Sequence, residues 1–178
     1  MWARWASTVE RRPAILAAAA AAVMLVLAIP VLSLRLGSSD QGNDPSSTTT
    51  RQAYDLLADG FGPGFNGPLL LVAQTSSPAD VAAVRTLEAG LPKVTDVTSV
   101  RQVAATTGTE VIQVTPGTSP EAKATSDLIS TLRNDTIPAA ERGTTLRVYI
   151  GGVTATFADF ATVVDAKLPW FILTIVGL

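Results

Sequence analysis

Charge and apolar residues alternate in three regimes along this chain. From Pro13 to Leu34 no residue is charged. Such a run reaches roughly 33 Å as a helix, enough to cross a hydrocarbon core of about 30 Å. Pro13 suits a first helical turn, and Pro30 is placed to kink or end the helix. The middle of the chain changes period repeatedly, as a folded domain should. After Leu168 charge disappears again until the last residue, Leu178.

Within the middle regime, Ala53, Tyr54, Leu57 and Ala58 make a helical face, with Ser46 or Ser47 as candidate cap and an end near Asp59. Leu69 to Ala73 is a short apolar run, predicting a buried strand over 68–75. Ser77-Pro78 then caps a helix whose apolar positions are Val81, Val84, Leu87 and Leu91. Val94, Val97, Val100 and Val103 predict a second strand. Thr106-Thr107-Gly108 turns it into a partner strand over Glu110–Thr115. Ser119-Pro120 predicts the start of another helix, with Ala124, Leu128, Ile129 and Leu132 on one face. Residues 134–143 are expected to be a polar connection, and Leu146–Ile150 a fourth strand. The order from residue 68 is β-α-β-β-α-β, the signature of a ferredoxin-like split βαβ unit. A helix follows over 154–168, with Phe157, Phe160, Ala161 and Val164 on one side. The apolar run 168–178 has Trp170 near its start, where a membrane interface would favour it.

Between the first helix and the first strand lies Gly60-Phe-Gly-Pro-Gly-Phe-Asn-Gly-Pro68. Four glycines and two prolines in nine residues define a shaped turn. Gly62-Pro-Gly-Phe-Asn-Gly67 matches the dinucleotide fingerprint in letters alone. That fingerprint follows a strand and opens a helix, whereas here a helix precedes and a strand follows. Pro63 and Pro68 also lack the N–H groups a phosphate needs.

Composition narrows the chemistry. The chain is 47% hydrophobic with a net charge of −2, so no nucleic-acid partner is implied. It contains neither Cys nor His, which removes disulfides, thiolate chemistry, Ser-His-Asp sites and the commonest zinc ligand. No S-x-x-K motif is present, so a hydrolase is not expected. Asp40, Asn43 and Asp44 lack the Gly and Glu spacing of an EF-hand and predict a capped loop. Asp159 and Asp165 are about 600° apart around a helix and make no acid–base pair. No enzyme activity, catalytic residue, cofactor or metal is expected. Phe61, Phe65, Phe157 and Phe160 are the candidate lining of a groove for a lipid chain, with ordinary packing as the alternative.

Several strings together resemble the MMPL transporters of the resistance-nodulation-division (RND) superfamily. They are Leu34-Arg-Leu-Gly-Ser-Ser-Asp40, Thr50-Arg-Gln-Ala-Tyr-Asp-Leu-Leu57, Phe61-Gly-Pro-Gly-Phe-Asn-Gly-Pro-Leu69, Ile150-Gly-Gly-Val-Thr-Ala155 with Asp159, and Lys167-Leu-Pro169. The resemblance implies a fragment of a proton-driven exporter of lipids or other hydrophobic compounds, taken from the second of two similar halves. It would supply an α+β extracytoplasmic porter domain flanked by transmembrane helices, without the charged intramembrane residues of a proton relay. The expected partners are the bilayer, a hydrophobic or lipid substrate, and the remaining helices of the full transporter or other transporter chains. The alternative is a membrane-anchored extracytoplasmic binding or accessory module.

The expected domains are a cytoplasmic terminus (1–12), a transmembrane helix (13–34), and a connecting segment with its helix (35–67). The porter domain (68–150), a pre-membrane helix (151–167) and the start of a second transmembrane helix (168–178) follow. Arg4, Arg11 and Arg12 set that orientation by the positive-inside rule, leaving 35–167 outside the cell membrane. Residues 35–150 are expected to fold alone.

Overall fold

The computed structural model describes residues 12–30 and 40–178. The expectations for residues 1–11 and 31–39, including Arg4, Arg11 and the far end of the first apolar segment, lie outside the described residues. The chain divides into two units, Met1–Leu36 and Gly37–Leu178. The described part of the first unit is helix α1 (Pro13–Ala28), with Pro13 in its first turn and a short 3₁₀ turn over 29–30. It is apolar all round and none of its residues is buried. Among the described residues, no helix is long and apolar enough to cross a membrane.

The second unit is a mixed α/β fold. Helix α2 (Thr49–Phe61) leads through a 3₁₀ turn (Pro63–Asn66) into β1 (Leu69–Gln74). Helix α3 (Pro78–Gly90), strands β2 (Val97–Thr106) and β3 (Thr109–Pro116), and helix α4 (Lys123–Thr131) follow. A π-helical turn (Leu132–Thr136) then leads into α5 (Ile137–Glu141), β4 (Arg147–Gly151) and α6 (Val153–Gly177). The strands form one four-stranded sheet in the order β2-β3-β1-β4, and every neighbouring pair is antiparallel.

Alternation along the strands explains where the core sits. Leu69, Leu71 and Ala73 of β1, Ile112 and Val114 of β3 and Val148 of β4 are buried. They join Val84, Leu87 and Leu91 from α3 and its end, and Leu128, Ile129, Leu132 and Ile137 from the second helical interval. The intervening positions Leu70 and Val72 are only half-buried and Tyr149 is exposed, because successive side chains point to opposite faces. One face of the sheet is therefore the core and the other remains open. Trimming Ile112 to valine removes one methylene from the closed face. It is expected to cost about 0.5–1.5 kcal/mol in a urea melt.

Local chemistry sets the helix starts. Thr48, rather than Ser46 or Ser47, caps α2, its side chain accepting the Arg51 N–H. Ser77 caps α3 in a reciprocal capping box with Asp80. The segment after β3 differs from expectation: α4 begins at Lys123, and its N-cap, Ala122, has no side-chain cap. Ser119-Pro120 instead forms a packing loop, in which the Ser119 carbonyl accepts from Thr125 Oγ1 at 2.7 Å and Pro120 is buried. The expected polar connection over 134–143 is largely helical, since α5 starts at Ile137 with Pro138 in its first turn. Ile137 belongs to the core, and that burial holds the turn.

Helix α6 also departs from the expected two pieces. It runs unbroken through Pro169, although proline leaves one upstream carbonyl without its helical donor. Asp159, Asp165 and Lys167 occupy its first two-thirds, so its uncharged stretch is confined to the end.

Candidate functional site

The glycine-rich turn is built by close approach. Gly62 has φ 93°, a conformation open to glycine at little cost, and it swings the chain out of α2. The Asn66 side-chain amide donates to the Tyr54 carbonyl at 3.0 Å, fastening the turn to that helix. A Cβ on Gly64 would lie 1.9 Å from the Pro116 carbonyl oxygen. A Cβ on Gly67 would lie 2.4 Å from Pro120 and 2.5 Å from the Thr154 hydroxyl. Thr154 also donates to the Gly67 carbonyl at 3.2 Å. The turn is thus held between the loop after β3 and the start of α6. Its inner side is filled by backbone at Gly64 and by the Pro120 and Thr154 side chains at Gly67, and the helix–turn–strand order is the one that argues against a nucleotide.

This clamping displays Phe61 and Phe65 together. Their rings stack with centroids 4.7 Å apart and an interplanar angle of 24°. They are 65% and 40% exposed, an unusual state for paired aromatics that a core could absorb. The pair forms one wall of a groove of about 460 Å³. Residues 98–101 of β2, together with Gln113 and Thr115 of β3, line the rest. That volume lies within the range of about 300–1,000 Å³ usual for small-molecule sites.

The four candidate phenylalanines are therefore divided. Phe157 and Phe160, 39% and 67% exposed on α6, do not line this groove. Helical spacing put the latter pair on one side of α6 but carried no information about its neighbours. Arg101 is a groove residue that sequence inspection missed. It is brought there by register, since Arg101 pairs across the sheet with Gln113, and its guanidinium faces the Gln113 side-chain oxygen at 3.4 Å. Among the described residues it makes no ion pair.

Polar contacts around the site are structural. Asp40 caps the 3₁₀ turn Gln41–Asn43, its Oδ1 accepting from Gly42 N–H at 2.8 Å. Asp44 accepts from the Thr50 hydroxyl at 2.8 Å, so the capped loop expected there is present. The Tyr54 hydroxyl and Asp40 Oδ2 are both shielded from solvent, and among the described residues neither has a well-formed hydrogen bond. Burial first, then the negative charges of Asp40 and Glu121, push the Tyr54 phenol above its ordinary range. Asp159 is paired, its carboxylate taking both terminal nitrogens of Arg133, with Nη2 to Oδ2 at 2.9 Å. That contact joins the π-helical turn to α6.

No protein-family model matches the chain. Along nearly its whole length, however, it aligns with one segment of much longer membrane proteins. It is 32% identical over 181 aligned positions to the membrane protein YdfJ of Bacillus subtilis, covering 97% of this chain and 24% of YdfJ. It is 31% identical over 176 positions to the mycolic acid-containing lipids exporter MmpL11 of Mycolicibacterium smegmatis, covering 94% of this chain and 18% of that protein. A shorter match, 36% over 77 positions, covers 43% of the chain and 8% of the trehalose monomycolate exporter MmpL3 of Mycobacterium tuberculosis. The chain belongs to the MMPL family of RND transporters. It spans between about a fifth and a quarter of the length of YdfJ and MmpL11.

Proposed function

We propose that this chain supplies one extracytoplasmic porter domain, of ferredoxin-like topology, to a proton-driven exporter of lipids or other hydrophobic compounds. The observation that carries this is the alignment over 94–97% of the chain with a membrane protein and a lipid exporter. The strand order β2-β3-β1-β4 and the helices after β1 and β3 agree with a split βαβ unit. Relatives carrying the names of exporters favour transport over catalysis. The uncharged segment 13–34 and the apolar end of α6 are the parts that would meet the bilayer. The remaining helices of a full transporter would supply the intramembrane charges that proton coupling requires.

In this reading the groove beside Phe61 and Phe65 is where a hydrophobic substrate touches the domain. The test is a graft of residues 12–178 in place of the matching segment of the Mycolicibacterium smegmatis lipids exporter MmpL11, followed by export of a fluorescent lipid from proteoliposomes under a proton gradient. Replacing both phenylalanines with alanine is expected to lower the rate about tenfold at unchanged protein level, the loss of about 1.4 kcal/mol of aromatic contact. An unchanged rate would remove the groove from the transport path.

A further inference from the structure

The groove is not uniformly apolar, and the one ionisable group among its described lining residues is a cation. Besides the stacked Phe61 and Phe65, the described lining includes Arg101, Gln113 and Thr115, and no acidic residue is among it. Arg101 contacts Gln113 only at 3.4 Å, a long bond for so strong a donor. Among the described residues no carboxylate pairs with it. Nearby, Glu110 accepts from the Gln102 side chain at 2.9 Å, so the closest acid on the facing strand is engaged elsewhere. The site thus joins an aromatic wall to a planar, fork-shaped donor whose charge is not neutralised within the fold.

Resting on the proposal that this groove receives hydrophobic compounds, we infer that its ligand is a single-chain amphiphile with a carboxylate head. The alkyl chain lies against Phe61 and Phe65, and the carboxylate is held by Arg101 with Gln113 beside it. Three features favour that occupant. A guanidinium matches a planar carboxylate with two parallel bonds. A groove of about 460 Å³ suits one chain better than a multi-chain lipid. The neighbouring lining groups Thr98, Ser99 and Thr115 bring hydroxyls that serve a polar head and would be wasted on a purely apolar guest.

The experiment uses the full chain in phosphatidylcholine nanodiscs and three twelve-carbon probes that carry a diazirine in the alkyl chain. Their heads are carboxylate, trimethylammonium and phosphate, and the labelled residues are mapped by mass spectrometry. The carboxylate probe is expected to label the Phe61–Phe65 segment and residues 98–101 at least about tenfold more than the ammonium probe. Arg101→Gln should remove that advantage without changing ammonium labelling, and Arg101→Lys should restore part of it. Phe65→Ala should weaken labelling by both probes. Equal labelling by all three heads, indifferent to Arg101→Gln, overturns the inference while leaving the groove as a hydrophobic site. Preference for the phosphate head overturns the carboxylate assignment. Labelling of the groove by none of the probes overturns the underlying groove proposal as well.

Discussion

Gly64→Ala is expected to destabilise the second unit by about 3 kcal/mol or more, or to prevent its folding. The added methyl carbon would sit 1.9 Å from the Pro116 carbonyl oxygen, 2.5 Å from its carbon and 2.9 Å from the Thr118 carbonyl oxygen. All of these are backbone atoms, so no side-chain rotation can relieve the overlap. Either the 3₁₀ turn or the loop after β3 has to move. That loop is itself tied down, by Thr118 Oγ1 donating to Asp96 at 2.7 Å and by the Gly117 N–H bonded to the Asp96 carbonyl at 2.8 Å. Gly60, in the last turn of α2, is the internal control. Among the described residues, nothing lies within 4 Å of a Cβ placed there, so Gly60→Ala should be neutral or stabilising by up to about 1 kcal/mol. Thermal melts of the two variants, followed by circular dichroism, separate the cases. If both melt like the parent, the close packing of this turn is wrong.

The second large effect is expected at Asp80. Its carboxylate is fully buried and meets only donors. Oδ2 accepts from Ser76 N–H at 2.8 Å, Ser77 N–H at 2.9 Å and the Thr145 hydroxyl at 2.8 Å. Oδ1 accepts from Thr145 N–H at 2.9 Å. This arrangement wants an acceptor on both oxygens. Asparagine, nearly the same shape, would turn an NH₂ group against at least one donor, leaving buried polar groups unpaired. Asp80→Asn is therefore expected to lower the melting temperature by at least about 5 °C.

The same bonds, led by that from Ser76 N–H and opposed by burial, depress the Asp80 pKa from 3.8 to about 2. A carboxylate depressed in the folded state stabilises it fully above its unfolded pKa. Its contribution should be lost as pH falls from about 4 towards 2. In the parent the melting temperature should decline across that window, and in Asp80→Asn the decline should be shallower. Parallel pH profiles for the two proteins would show that Asp80 is not the group responsible.

Much of the sheet was legible because its signals are local. Leu69–Ala73 is apolar and short, and Thr107-Gly108 supplies the two-residue hairpin, with Gly108 at φ 86°. Ser77-Pro78 announced α3, while the capping box that Ser77 forms with Asp80 came only with the structure. What local signals could not supply was the partner of each group. Asp80 reads as a helix-start acid, yet its other bonds go to Thr145, 65 residues away. Ser119-Pro120 has the letters of a helix start, but Pro120 is needed against Gly67, so the helix begins later. Asn134 and Asp135 look like a loop, while the burial of Ile137 keeps that segment helical. In the groove, Phe61 and Phe65 stood out by their place in the turn. Arg101 joined them only through the register of β2 on β3, where shifts between Val97 and Ser99 and between Gln102 and Ala104 obscure any simple alternation.

The pairing of β1 with β4 carries a mechanical consequence. The chain comes into the sheet at Leu69 and leaves it at Gly151, and Leu70 lies opposite Gly151 in the antiparallel register. The incoming turn and the outgoing helix α6 therefore attach at the same end of two neighbouring strands. Tension drawing α2 and α6 apart would load this ladder as a zipper, one hydrogen-bonded pair after another from Leu70–Gly151 inward. It would not load all the pairs at once in shear. The Thr154 bond to the Gly67 carbonyl lies ahead of the first pair and would be the first to feel the load. The sheet yields readily to forces that separate its two connections and firmly resists those that slide its strands past one another.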